Sequence, residues 1–187
     1  MINKKMIMKI VVPVLIAVII IGIWLFKRYE KKRTEANSII VEMQNLPDNL
    51  KGADFSFEQT VGIDMEKLVP YGLPILIDYG SQGCGPCRQM APALKQIHNE
   101  YIGRVFVKYI DVWKYPQEVK NIPLQVIPTQ FFFYADGTPL VPSRELADKI
   151  EFSMYSERDT NKHIFTVHQG ILTADELRYV LTEMEKK

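Results

Sequence analysis

The stretch Leu76-Ile77-Asp78-Tyr79-Gly80-Ser81-Gln82-Gly83-Cys84-Gly85-Pro86-Cys87-Arg88-Gln89-Met90-Ala91-Pro92 decides how the rest of the chain is read. An apolar run of strand character ends in a turn of small residues, and a Cys-x-x-Cys pair then opens a helix. The chain has 187 residues and two cysteines, and both cysteines are here. Their separation closes too short a loop to staple a fold, so the pair is either reactive or metal-binding. Cys84 falls at the mouth of the helix and Cys87 one turn inside it. Free backbone N–H groups and the helix dipole favour a thiolate at Cys84, drawing its pKa below the ordinary ~8.5. The i,i+3 spacing keeps both Cα atoms within disulfide reach. Pro86 in the first turn stiffens the loop without removing a needed N–H.

A metal site would need further ligands, four for tetrahedral zinc. The candidates are His98, His163 and His168. His163 and His168 have a zinc-type separation, but the intervening Ile-Phe-Thr-Val alternates like a strand and turns the two rings to opposite faces. The pair therefore reads as redox-active, with no metal and no cofactor expected. A copper or zinc chaperone built on the same two thiols is the rival reading, and a non-catalytic interaction module is another.

Outward from this stretch the periodicities are those of a mixed α/β domain. Asp64 is placed to cap a short helix over Met65–Val69, which Pro70, Gly72 and Pro74 end. Ile75–Tyr79 is a central strand. The helix from Gly85 or Pro86 to about Tyr101 carries Met90, Leu94, Ile97 and Tyr101 on one face, with Pro92 inside it. Val105–Ile110 and Thr129–Tyr134 are further strands, the latter closed by Asp136-Gly137, and Glu118–Ile122 is a short helix. Thr173 and Glu176 have capping-box spacing at the head of a final helix running to about Glu185.

Together, Asp78 six residues before Cys84, the Cys84-Gly85-Pro86-Cys87 loop, Pro92 within the helix and Val126-Ile127-Pro128-Thr129 downstream resemble the thioredoxin family. More narrowly, they resemble membrane-anchored bacterial thiol–disulfide oxidoreductases of that kind. The resemblance covers about Asp54 to the C-terminus and implies a thioredoxin-like α/β fold, a central mixed sheet with helices on both faces. It implies that Cys84 is the nucleophile, Cys87 the resolving thiol and Asp78 the buried acid that helps deprotonate Cys87. It also implies that Gly85, Pro86, Ile127, Pro128 and Thr129 contact substrate, with Pro128 in the family's cis-proline loop. Disulfide-containing proteins would be the substrates, and Cys-Gly-Pro-Cys implies the reducing direction.

Three departures stand out. Gly83 occupies a position where thioredoxins usually carry tryptophan, which predicts a more open rim beside Cys84. Val107 falls where a lysine often neighbours the buried acid, which predicts that Asp78 titrates higher. The stretch from 138 to 168 is about twenty residues longer than the family's link. Its alternating halves, Ile150–Ser156 and His163–His168 around Arg158–Lys162, predict a protruding β-hairpin inserted before the last strand.

The N-terminal region divides into a basic tail (1–9), an uncharged segment Ile10–Phe26 and a juxtamembrane stalk (27–53) ahead of the domain at 54–187. With Met6–Met8 the uncharged segment reaches the ~20 residues of a bilayer span, and Trp24 sits where an interfacial aromatic belongs. Lys27 and Arg28 follow it in place of a small-residue cleavage site, so it reads as a retained single-pass signal-anchor contacting membrane lipid. The three lysines of the tail form an n-region that stays inside, predicting an extracytoplasmic domain. Counting the five basic residues after the span would instead hold the domain in the cytoplasm. For an extracytoplasmic domain the resemblance implies a membrane thiol electron carrier of the cytochrome c biogenesis type as partner, and for a cytoplasmic one thioredoxin reductase.

Composition fits this picture. A hydrophobic content of 47% with 24% charged residues is that of a folded protein and excludes wholesale disorder. Through Arg33 there are eight Lys/Arg against Glu30 alone, whereas the remainder carries 15 Lys/Arg against 21 Asp/Glu. An acidic domain lacks the basic face that nucleic acid requires, so no nucleic acid partner is expected.

Overall fold

The computed structural model describes residues 4–60 and 62–186, with the side chains at 4–13, 32, 35–39 and 42 outside the description. The chain divides into two compact units, one ending at residue 45 and one beginning at Leu46. The first is a single helix, α1 (Lys4–Gln44), which runs unbroken from the tail through the expected span and into the stalk as far as Gln44. Its large apolar side chains from Val14 to Phe26 are each more than half exposed. Among the described residues no helix is long and apolar enough to cross a membrane. The first four side chains of the expected 10–26 span lie outside the description.

In the second unit six strands form one sheet. They are β1 (Glu58–Gln59), β2 (Ile75–Gly80), β3 (Phe106–Asp111), β4 (Thr129–Phe133), β5 (Ser153–Ser156) and β6 (His163–Gln169), in the order β1-β3-β2-β4-β6-β5. The pairs β1–β3 and β2–β3 are parallel, and β2–β4, β4–β6 and β5–β6 are antiparallel. Every residue of β2 is buried, as a strand in the middle of a covered sheet must be. Leu76 joins Val107 and Phe132 under α3 (Gly85–Glu100) and α5 (Ala174–Met184). Ile75, Ile77 and Tyr79 pack on the opposite face with Phe131, Phe133 and Leu68 of the short α2 (Met65–Leu68). The two-residue period of the strand puts Asp78 on the Leu76 side, beneath α3.

The helix face predicted from sequence is the buried one, since Met90, Leu94, Ile97 and Tyr101 are all in the core. At the head of α5 the capping box is complete. Glu176 N–H donates to Thr173 Oγ1 at 3.2 Å, and Thr173 N–H donates to the Glu176 carboxylate at 2.8 Å.

Four local expectations are corrected. Asp64 stands at the N-cap of α2 but makes no side-chain cap bond, because its carboxylate pairs with Lys67 at 3.0 Å instead. The Glu118–Ile122 helix is a short 3₁₀ turn at Pro116–Val119. The compact unit takes in residues before 54, since Leu50 and Ala53 are buried with Phe55.

The fourth concerns the hairpin, which neither protrudes nor precedes the last strand. Its second arm, β6, is the last strand and pairs with β4, while its first arm, β5, extends the sheet outward. The residues before it fold down through α4 (Arg144–Ala147), burying Leu140, Leu146 and Ile150 against the α3/α5 core. Glu183 of α5 accepts from both N–H and Oγ of Ser143, at 2.7 and 2.6 Å, and so pins the start of α4. Apolar burial draws this segment onto the domain rather than away from it.

Candidate redox site

Strand β2 ends at Gly80, and the four residues after it turn the chain into α3. Cys84 is the N-cap of that helix, with extended backbone angles. Its sulfur is joined to Cys87 in a disulfide with the Cα atoms 5.3 Å apart. Cys87 N–H donates to Cys84 Sγ at 3.2 Å. A sulfur that meets such a donor at a helix N-terminus is in the setting that favours a thiolate. Gly85 and Pro86 are the first two helical residues and are exposed at the mouth of the site.

Cys84 Sγ lies 3.6 Å from the carbonyl oxygen of Ile127. The Ile127–Pro128 bond is cis. Thr129 Oγ1 donates to the Val126 carbonyl at 2.8 Å, closing the loop on itself. The structure therefore brings Cys84, Ile127 and Pro128 together and uses the Thr129 side chain to hold the loop.

Behind the sulfurs, Asp78 is 3% exposed. Burial pushes its carboxyl up to about 7, and a hydrogen bond from Gln130 Nε2 to Oδ1, 2.7 Å long, works in the opposite direction. Asp78 Oδ2 and Cys87 Sγ converge over Gly80, at 3.3 and 3.5 Å from the point where a Cβ would stand there. A cavity of about 330 Å³, lined by Asp78, Cys87, Ser81, Ala91, Phe57 and Tyr109, opens beside this pair. Val107 is buried in the α3/α5 core. Its neighbour Lys108 is turned to the Asp54–Ser56 segment, where its ammonium meets both backbone carbonyls and the Asp54 carboxylate.

The open rim expected at Gly83 is corrected, because the indole of Trp113 rests there. The histidines are engaged elsewhere. His98 Nδ1 contacts the Val107 carbonyl, His163 Nε2 the Phe165 carbonyl and His168 Nδ1 the Glu151 carbonyl.

Sequence reasoning missed three residues of the site: Gln130, Asp111 and Trp113. Gln130 had a signal, being a polar residue between Thr129 and the run Phe131-Phe132-Phe133. Asp111 and Trp113 act across 29 or more positions of chain, and no local pattern marks them.

A sulfur pair that closes at a helix mouth, with a buried carboxyl behind it, defines a protein that exchanges dithiols for disulfides. Comparison with known proteins narrows the class. Residues 59–153 match the family described as Thioredoxin, so the chain belongs to the thioredoxin family. It is 30% identical over 103 residues to thioredoxin Y1, chloroplastic, of Arabidopsis thaliana, covering 52% of this chain and 59% of that protein. It is 36% identical over 76 residues to thioredoxin of Thiocapsa roseopersicina, covering 41% of this chain and 76% of that protein. The solved structure of chloroplastic thioredoxin z aligns at 19% identity with a TM-score of 0.46, covering 70% of this chain and 95% of that one. The family match ends at 153, the first residue of β5.

Proposed function

We propose that this chain is a membrane-tethered thiol–disulfide oxidoreductase that reduces protein disulfides through Cys84 and Cys87. The observation that carries the reading is the two-sided setting of the sulfurs. Cys84 faces the Ile127–Pro128 loop, while Cys87 faces the buried acid Asp78.

In the reduced protein, the Cys84 thiolate attacks one sulfur of a substrate disulfide. A mixed disulfide forms and the other substrate sulfur leaves as a thiolate. Asp78, ionised, takes the proton from the Cys87 thiol, and the resulting thiolate attacks Cys84 Sγ. The Cys84–Cys87 disulfide closes and the second substrate sulfur departs. The substrate gains two electrons and, once its thiolates are protonated, two protons; the dithiol loses the same. Backbone polar groups at Ile127, with Gly85 and Pro86 on the facing rim, hold the substrate chain across Cys84; Thr129, buried between β2 and β6, supports the loop from behind. The disulfide form is the state left after one turnover.

For tethering, the support is the uncharged segment 10–26 and the continuous exposure of its large apolar side chains from Val14 to Phe26. Apolar surface of that extent is stable against lipid rather than water. In this reading the domain is extracytoplasmic and a membrane thiol electron carrier of the cytochrome c biogenesis type re-reduces it. Thioredoxin reductase takes that place if the domain faces inward.

The test is a trap in membranes. Cys87→Ser should accumulate mixed disulfides through Cys84, Cys84→Ser should accumulate none, and the full chain should stay with the membrane after carbonate washing. Equal capture by both variants defeats the assigned roles, and release into the soluble fraction defeats the anchor.

A further inference from the structure

Gly83 precedes the attacking sulfur and has no side chain, yet its flank is filled from another part of the fold. A Cβ built on Gly83 would run into Trp113 Cζ3 and lie 2.8 Å from Cε3. The six-membered ring of the indole therefore rests directly against the Gly83 backbone. Trp113 comes from the turn after β3 and is 64% exposed, the most exposed large apolar side chain among the described residues of the second unit.

The turn that carries the ring is held by one carboxylate. Asp111 Oδ1 accepts the N–H groups of Trp113 and Lys114, at 3.1 and 3.2 Å, and Oδ2 accepts the N–H of Gln82 at 3.2 Å. The turn that carries the indole is thereby tied to the loop that carries Cys84. Burial works to raise the Asp111 carboxyl, but these donors and the Ser81 hydroxyl outweigh it and keep it below its ordinary value. The clamp is ionised at neutral pH. On the other side of Cys84, Val126 is exposed one residue before Ile127, whose carbonyl faces the sulfur.

An indole seated against the residue that precedes a reactive sulfur, and open to solvent, has most of its ring face unused. Exposed, rigid aromatic rings give large contact area at low entropic cost. We propose that Trp113 is a specificity-determining residue of the disulfide exchange. Its ring is the shelf on which an apolar or aromatic side chain next to the target cysteine of a polypeptide packs. The chain thereby selects polypeptide disulfides over small hydrophilic ones. This rests on the reading of the chain as a protein-disulfide reductase.

The experiment uses the full-length protein in detergent, kept reduced by dithiothreitol, with insulin as the polypeptide disulfide and 2-hydroxyethyl disulfide as the small hydrophilic one. Trp113→Ala should lower kcat/KM for insulin about five- to ten-fold, mainly through KM, the size expected for one aromatic contact. It should leave the small disulfide within about two-fold, and Trp113→Phe should keep most of the insulin activity. Gly83→Ala, which evicts the indole without deleting it, should reproduce the selective loss and serves where Trp113→Ala fails to fold. Unchanged insulin kinetics, or an equal loss on both substrates, overturns the proposal. Wild-type protein that reduces no insulin defeats the underlying reading of the chain instead.

Discussion

Gln130 and Asp78 are direct cross-strand partners in the β2–β4 ladder, and Gln130 Nε2 donates to Asp78 Oδ1 at 2.7 Å. The same nitrogen lies 3.2 Å from the Gly170 carbonyl. Because Gln130 stands two residues after Pro128, the loop that faces Cys84 and the acid behind Cys87 are fixed by one short strand. The relationship has consequences for pH dependence.

Asp78 is pushed up to about 7, first by burial and against the pull of Gln130. In its proposed role as base for Cys87 it must be ionised, so the resolving step should slow about ten-fold per pH unit below 7. Stopped-flow decay of the mixed disulfide between pH 5.5 and 8.5 measures this. Asp78→Asn should remove the inflection and slow the step at every pH, and an inflection surviving in that variant would show that another group titrates.

Gln130→Leu removes a donor to the charged form and leaves the carboxylate in a dry site. The inflection should move up by about one pH unit. Gln130→Glu should move it further, since two carboxylates would then share the site. A profile unchanged in both variants would separate Gln130 from the proton step.

The same burial makes a stability prediction of definite sign. The folded value of about 7 exceeds the ordinary 3.8 of the unfolded chain's carboxyl. Protonated Asp78 is favoured in the folded state, so this contribution is fully present below pH 3.8 and is lost as pH rises through about 7. Asp78→Asn should therefore be more stable than wild type above pH 8, by at most about 4 kcal/mol, and should lose the advantage in acid. Urea midpoints at pH 8.5 and pH 5 make the comparison.

Asp111→Ala leaves the N–H groups of Gln82, Trp113 and Lys114 without their acceptor. A loss of about 1–3 kcal/mol is expected for polar groups stranded in a partly buried site. Chemical denaturation measures it. The variant should also lose insulin reduction selectively, as Trp113→Ala does, whereas a stability loss with undisturbed selectivity would detach the clamp from the ring.

Much of the frame is legible in the chain because it is written locally. The apolar run at Ile75 marks β2 and the i, i+4, i+7, i+11 spacing marks the buried side of α3. Thr173 with Glu176 marks the start of α5, and each of these signals lies within one element. The pair Cys84 and Cys87 is legible for the same reason. What escapes is what the sheet brings together. Leu140 and Leu146 sit among prolines and charges, and Ile150 reads as the first residue of a strand arm, so their descent onto α5 cannot be seen. Asp64 is drawn from its capping role by a lysine three residues away. Gln130 is visible as an oddity, but its meaning depends on register with Asp78. Trp113 reaches Gly83 only because β3 lies beside β2.

Gly80 has the same arrangement one turn deeper. A Cβ there would stand 3.0 Å from Tyr109 Cε2, so the ring of β3 occupies the volume that residue 80 leaves vacant. The Cys-bearing loop is thus shaped by bulk lent from a second segment, Tyr109 to Trp113. Transplanted alone into another scaffold, residues 78–88 would arrive with two hollows and a misplaced acid. Transplanted with 106–114, they would carry their own walls. The site is inherited as a two-piece module, and a substitution that fills Gly80 becomes tolerable only after the Tyr109 ring has been cut back.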